Sequence, residues 1–303
     1  MKAELAVSID LGGTFIKYGL VNLDGEILWQ SKVVTPAESR ELVLDQLVKC
    51  VDEARSIQDP QCIGVGTPGL VDFKKGVVIN GAPQLDRWND LALSDKISER
   101  TGLPVYVDND ANLMGLGEYR FGNNSKLENL VFLTIGTGIG GAIIMNGDLC
   151  RGGFFAGGEF GLIPYDRPGK SGFWEEFGST KAMVNHYCEL KELTKDEDIN
   201  GKLIFEQAGD GDIDALSAIE EHVDILGFGI AGLLSSLNPE KVIIGGGISE
   251  SGKSYIKSIN ERVIKYAAPE CYAGVEIEAA VLGNKAGFLG AGYYALSSHL
   301  NKK

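Results

Sequence analysis

The chain of 303 residues carries a formal charge of −14, with 44% hydrophobic and 23% charged residues. That length accommodates one large or two medium domains with a sizeable core, and the composition is ordinary for a globular protein. The acidic balance argues against nucleic acid as a partner, since nothing would neutralise its phosphates, but it leaves room for a nucleotide, which needs only local donors and a metal. No apolar run approaches the roughly 18 residues of a membrane span, and no signal peptide opens the chain, so a cytoplasmic protein without membrane contact is expected. The five cysteines (Cys50, Cys62, Cys150, Cys188, Cys271) are scattered, odd in number and without a C-x-x-C pair, as expected of buried, reduced thiols.

Residues 5–28 read LAVSIDLGGTFIKYGLVNLDGEIL: an apolar run enters a glycine turn, and the alternation of Phe15, Lys17 and Gly19 against Ile16, Tyr18 and Leu20 leaves it. This predicts a β-hairpin, with a third strand after the Asn22 to Gly25 turn. Glycine lets backbone N–H groups converge on one point, which suits phosphate oxygens, although a tight hairpin needs glycine for its own sake. Thr35-Pro36-Ala37-Glu38 has the form of a helix start, followed by a stripe at Leu44, Leu47, Val48, Val51 and Ala54. A buried strand over 62–66 runs into Thr67-Pro68-Gly69, and a helix is predicted over 94–101. A strand over 104–107 then leads through Asp108-Asn109-Asp110 into a helix over about 111–121. Strand–helix alternation of this kind predicts a mainly parallel sheet with ligands at the carboxyl ends of its strands.

Residues 130–149, LVFLTIGTGIGGAIIMNGDL, repeat the strand–glycine turn–strand pattern. Gly136 to Gly141 also fits G-x-G-x-x-G, but that fingerprint needs a helix directly after the glycines, and Ala142-Ile143-Ile144-Met145 followed by Asn146-Gly147 reads as a strand and a turn. A nicotinamide oxidoreductase is weakened accordingly. Neither turn has the Lys-Ser/Thr ending of a P-loop. Helices are predicted over 179–193 and 212–237, the latter capped by Asp212 and stopped at Asn238-Pro239. A strand over 241–244 enters Gly245-Gly246-Gly247, a helix follows over 251–267, then a strand over 275–282 and a helix over 287–300. The repeat suggests two similar domains about one nucleotide, with a boundary near 110–125.

Taken together, Asp10-Leu11-Gly12-Gly13-Thr14, Gly66-Thr67-Pro68-Gly69, Asn109-Asp110-Ala111-Asn112, Gly136-Thr137-Gly138-Ile139-Gly140-Gly141, Glu159-Phe160-Gly161 and Gly245-Gly246-Gly247 resemble, in order and over nearly the whole chain, the ROK family of sugar kinases. The resemblance implies an α/β fold of two actin-like (ribonuclease H-like) domains, 1–115 plus 286–303 and 116–285, with ATP and a hexose meeting in a cleft between them. It assigns ATP to Asp10, Gly12, Gly13, Thr14, Lys17, Gly136, Thr137, Gly138, Gly245, Gly246 and Gly247. Phosphoryl transfer asks the protein mainly to position the acceptor and neutralise charge. Asp10 at a strand end would hold Mg²⁺ directly or through water, although a strand-terminal Asp is also a common turn former. Asp110 is the implied general base on the sugar hydroxyl, with Asp108 the runner-up, and the same stretch can serve simply as a helix cap. The sugar falls to Gly66, Thr67, Pro68 and Gly69 through backbone groups, and to Asn109, Asp110, Glu159 and Glu175, since a carboxylate can accept from adjacent hydroxyls. Glu176 competes with Glu175. Trp88 and Asn89 are candidates for the rim, although a lone Trp is also common in a core.

The pattern breaks after Glu159. Where most members have a histidine and then a zinc-binding cysteine cluster, this chain has Leu162 and a segment, 164–175, without cysteine or histidine; His186, His222 and His299 lie elsewhere, in predicted helices. Zinc needs about four N or S ligands, so no structural zinc is expected. The missing histidine removes one hydrogen bond near the anomeric end, worth about 0.5–1.5 kcal/mol. Leucine leaves a less polar wall compatible with a substituent on O1 or N2. Glucose, a β-glucoside and N-acetylmannosamine therefore stay open as acceptors, with O6 as the site of transfer implied by the family. The alternatives are a sugar-binding regulatory protein without kinase activity and a decayed active site. Regulators of the family carry a DNA-binding segment before the core, whereas Asp10 lies close to Met1, and Asp10, Asp110 and both turns are intact. Homodimers are common in the family.

Overall fold

The computed structural model describes residues 4–194, 199–247 and 252–301, in two compact units. The first comprises Met1–Lys126, Leu149–Gly157 and Asn284–Lys303; the second comprises Leu127–Asp148 and Gly158–Gly283.

The first unit opens with β1 (Leu5–Leu11), β2 (Phe15–Asn22) and β3 (Ile27–Val34), then α1 (Arg40–Ile57), β4 (Cys62–Thr67), β5 (Leu70–Asp72), β6 (Val77–Asn80), α2 (Leu93–Thr101), β7 (Val105–Asn109) and α3 (Asp110–Phe121). The five-stranded sheet has the order β3-β2-β1-β4-β7. Every residue of β1 is buried, as a central strand requires, while β3 alternates as an edge strand. Val43, Leu44, Leu47, Cys50, Val51 and Ala54 of α1 cover the sheet and join Ile9, Leu11, Ile63 and Val65 in one core.

The second unit repeats the plan with β8 (Leu130–Ile135), β9 (Ile139–Met145) and β10 (Asp148–Leu149). It continues with β11 (Pro164–Arg167), β12 (Lys170–Phe173), α4 (Trp174–Gly178), α5 (Thr180–Leu190), α6 (Gly201–Gly209), α7 (Ile213–Leu237), β13 (Lys241–Gly245), α8 (Lys253–Tyr266), α9 (Pro269–Tyr272) and β14 (Glu276–Ala279). Its sheet runs β10-β9-β8-β13-β14, the same order as the first. Leu133, Ile135, Leu226, Ile230, Val242 and Ile244 lie in its core. The last helix, α10 (Ala286–Leu300), belongs to the first unit. Among the described residues no helix is long and apolar enough to cross a membrane.

Three expectations are corrected. Both sheets are mixed rather than mainly parallel: the glycine turns reverse the chain, so β1 and β2, and β8 and β9, pair antiparallel, while β1–β4–β7 and β8–β13–β14 pair parallel. Thr35 does not start α1; Ser39 is the N-cap, its hydroxyl accepting from Leu42 N. Thr35 is committed elsewhere, donating its hydroxyl to Gly12 O at 2.7 Å and its amide to Thr14 O at 2.9 Å. The boundary at 115/116 falls inside α3, which lies wholly in the first unit, because Gly117 and Gly290 let the backbones of α3 and α10 pack where side chains would collide with Ala286 O and Leu113 O. The helix expected over 251–267 is α8; Ser251 lies outside the described residues.

Candidate active site

Three parallel strands of the first unit end side by side. Asp10 of β1 is in register with Gly66 of β4, and Gly66 with Asp108 of β7. Ligands of open α/β sheets collect at this end. Asp10 is 6% exposed, with Lys17 Nζ 3.3 Å from its Oδ2. Lys17 also donates to Asn284 O at 3.3 Å. Burial pushes the Asp10 carboxyl above its ordinary value and Lys17 only partly opposes this. In the adjoining turn Gly12 N donates to Phe15 O at 3.0 Å, closing the hairpin, while Gly13 and Thr14 are exposed. The Gly12 amide is therefore spent inside the turn, and Thr35, which sequence reading assigned to a helix cap, fastens the turn from the side.

The carboxylates of the β7–α3 junction have separate environments. Asp108 is 1% exposed; its Oδ2 accepts from Arg151 Nε at 2.6 Å, and its Oδ1 from Asn109 N at 2.8 Å and Asn112 Nδ2 at 3.3 Å. Burial pushes its carboxyl up and Arg151 pulls it back. Asn109 is the N-cap of α3, accepting from Asn112 N at 3.0 Å and donating Nδ2 to Gly69 O at 3.0 Å. Asp110 opens the helix, half-buried, its Oδ1 accepting from Ala111 N at 2.9 Å. Gly66 packs against the start of α3: a Cβ there would press on Leu113 Cδ1 at 3.3 Å and stand in ordinary contact with Asp110 Cα at 3.7 Å. The 66–69 turn is braced from behind: Trp88 is 1% exposed and donates Nε1–H to Thr67 Oγ1 at 2.9 Å. Trp88 is thus core, the Thr67 side chain is occupied, and Asn89 is exposed.

In the second unit Gly136 N donates to Gly138 O at 3.0 Å, closing the turn between β8 and β9. Strand β9 follows directly, with Gly140 and Gly141 paired to Thr134 and Leu133, so the helix of a dinucleotide fingerprint is replaced by a strand. Gly245 pairs with Thr134 at the end of β13. Gly246 has φ 89° and lies so close to Ile135 O that a side chain would collide with it. A cavity of about 790 Å³ is lined by Gly136, Thr137, Lys181, Asn200, Phe205 and Gly247, within the usual range for small-molecule sites. Thr180, also on its wall, has a buried hydroxyl without a hydrogen-bond partner among the described residues. Helix α5 matches the helix expected over 179–193, though not as a wall of this cavity; α6 was not expected from sequence, and its asparagine N-cap, Asn200, which accepts from Leu203 N, was the available signal.

Glu159, on the N-terminal side of a short 3-10 turn (Phe160–Leu162), is half-buried. Its carboxyl is pushed up first by burial and then by the charge of Glu175. Glu175 Oε2 accepts from Ile139 N at 3.2 Å and lies beside Gly138 and Gly161. Glu176 turns the other way and caps α4, its Oε2 accepting from Phe173 N at 3.0 Å. Leu162 is 50% exposed. The segment beyond it is the β11–β12 hairpin, tied to α7 through Arg167–Asp224 at 3.0 Å and Lys170–Glu221 at 2.9 Å. Among the described residues no group of three or more His, Cys, Asp or Glu side chains is disposed to hold a metal.

The chain is similar to known proteins over nearly its whole length. A glucokinase of Halalkalibacterium halodurans is 34% identical over 312 residues, covering 95% of this chain and 93% of that one. A β-glucoside kinase of Listeria monocytogenes is 33% identical over 294 residues, covering 95% and 96%. The crystal structure of a ROK family glucokinase from Streptomyces griseus, in complex with glucose and AMPPNP, superposes with a TM-score of 0.85 at 34% identity over 97% of this chain and 99% of that one. The ROK family model matches residues 6–298, and the chain belongs to the ROK family, with the actin-like α/β fold in both its units.

Proposed function

We propose that this ROK-family sugar kinase transfers the γ-phosphoryl group of ATP to the 6-hydroxyl of a hexose or hexose derivative, with Asp110 as general base. The observation that carries the reading is the division of labour at β7–α3. Asp108 is sequestered by Arg151, whereas Asp110 opens a helix beside Gly66, at the same sheet end as Asp10. A carboxylate in hydrogen-bond reach of an alcohol orients it and accepts its proton as the phosphoryl group is attacked.

Asp10 and Lys17 fit the phosphate side. Asp10 would hold Mg²⁺ directly or through water, and the ion would neutralise phosphate charge as the leaving group departs. Thr14, Gly13 and the turn at Gly136, Thr137 and Gly138 serve the phosphates, and Gly245, Gly246 and Gly247 the adenosine, whose base suits the cavity bordered by Gly247 and Phe205. Asn109 and the backbone of Gly66, Thr67, Pro68 and Gly69 face the sugar, with Glu159 and Glu175 accepting from ring hydroxyls. Glu175 is favoured over Glu176, whose carboxylate is engaged in capping α4. The exposed Leu162 supports an acceptor substituted at O1 or N2. The test of regiochemistry is NMR of the product, where phosphorus coupling at C6 is expected and coupling elsewhere would refute the assignment. A sugar-binding regulator of the same family would bind ligand in this assay and yield no phosphosugar.

Two further outcomes are expected. Protonated Glu159 is a poorer acceptor, so the KM for sugar should rise as pH falls through its elevated pKa, while kcat at saturating sugar holds. Glu175→Gln removes the repelling charge and should move that rise to lower pH; a limb that does not move would refute the coupling. Elemental analysis of the purified protein should find no stoichiometric zinc, and one zinc per chain would contradict the reading of the β11–β12 hairpin as metal-free.

A further inference from the structure

We infer that Arg151 is a positioning residue for the proposed general base, acting through Asp108; the inference rests on the assignment of Asp110. Arg151 lies in the Leu149–Gly157 segment, which belongs to the first unit although it follows β10 in sequence. Its side chain is 12% exposed and its fork grips Asp108 through Nε and Nη2, with a third donor, Nη1, on Leu149 O at 3.3 Å. The guanidinium carbon stands 4.0 Å from the centroid of Phe73 and 5.2 Å from that of Tyr294, which fix the plane of the fork. Phe73 is itself packed edge-on against Phe155 of the same segment.

The far oxygen of Asp108 transmits this constraint. It accepts from the amide of Asn109, the N-cap residue, and from the side chain of Asn112 one turn into α3. The backbone carrying Asp110 is thereby held from Asn109 and from Asn112, on either side of the base. Loss of Arg151 leaves Asp108 buried without its cation, a state costly enough that the carboxyl takes up a proton or draws in water. Either change weakens the two bonds that set the start of α3. A shift of about 1 Å in a reacting group can cost about 10²-fold in rate.

The test is steady-state kinetics on folded variants, with circular dichroism as the check of folding. Arg151→Met is expected to lower kcat about 10²-fold with the KM for ATP and for sugar unchanged. Arg151→Met/Asp108→Asn, which removes the stranded charge but keeps an oxygen facing Asn109 N, should recover most of that loss. Unchanged kcat in Arg151→Met overturns the inference, as does a loss that the double variant fails to relieve or one confined to KM. Should Arg151→Met not fold, Arg151→Lys replaces the fork by a single ammonium and should lower kcat about tenfold at constant KM; full activity there overturns it equally. Asp110→Asn run alongside separates the two readings. If Asp110→Asn keeps full turnover, the base assignment fails; if it abolishes turnover while Arg151→Met does not, only the positioning role fails.

Discussion

Asp110→Asn is expected to lower kcat by about 10²–10⁴-fold, the contribution of a positioned acid or base, with little change in the KM for ATP. Asparagine preserves the shape of the carboxylate and its acceptor toward Ala111 N, so α3 should start as before and the loss should be chemical. The matching change at Asp108 should behave differently. Asp108→Asn strands Arg151 in a buried setting, and breaking such a pair costs about 3–5 kcal/mol when nothing compensates. Its amide oxygen still faces Asn109 N, so the dominant effect should be a lower Tm with a modest fall in turnover. Thermal unfolding and kinetics on the pair of variants check this. Equal loss of kcat at both positions would undo the distinction between them.

The second large effect is expected at Asp10. Asp10→Ala removes the only carboxylate assigned to the metal and takes from Lys17 its ion-pair partner at 3.3 Å, leaving the bond to Asn284 O. A bound metal contributes several kcal/mol of transition-state stabilisation, so turnover should fall by about 10²–10³-fold, with a higher requirement for Mg²⁺. The measurement is kcat against Mg²⁺ concentration at saturating ATP and sugar. Parent-like turnover and an unchanged metal requirement would remove Asp10 from that role. Because burial raises the Asp10 pKa, the parent enzyme's demand for Mg²⁺ should also rise as pH falls, the ion then competing with a proton.

The local patterns of this chain were legible where their causes are local. An apolar run into Gly12-Gly13 and into Gly136 to Gly138, with alternation leaving each, specified both hairpins, and Asn22 to Gly25 and Asn146-Gly147 marked the turns that follow; Asn146 and Gly147 take φ of 53° and 79°, the left-handed pair that reverses a twisted hairpin. The strand after Gly141 discriminated against a dinucleotide fold for the same reason. What stayed hidden depends on contacts distant in sequence. Thr35 carries every local sign of a helix start, and only its bonds to Gly12 and Thr14 reveal that it braces the first glycine turn. Asp108 and Asp110 are indistinguishable as residue types at a strand end; the guanidinium that separates them arrives from position 151. Glu175 and Glu176 are likewise told apart only by their partners, Ile139 N and Phe173 N. Trp88 could have been rim or core until its indole was seen bonded to Thr67. The α3–α10 contact, made through Gly117 and Gly290, moved the domain boundary because glycine in a helix reads first as a weak point rather than as a packing surface.

The most direct measurement is a coupled ADP-release assay over hexoses, N-acetylhexosamines and β-glucosides, with and without Mg²⁺. Release that depends on both one of these sugars and the metal, matched mole for mole by phosphosugar, is the expected result. Nucleotide binding without ADP release for every sugar tested would contradict a kinase.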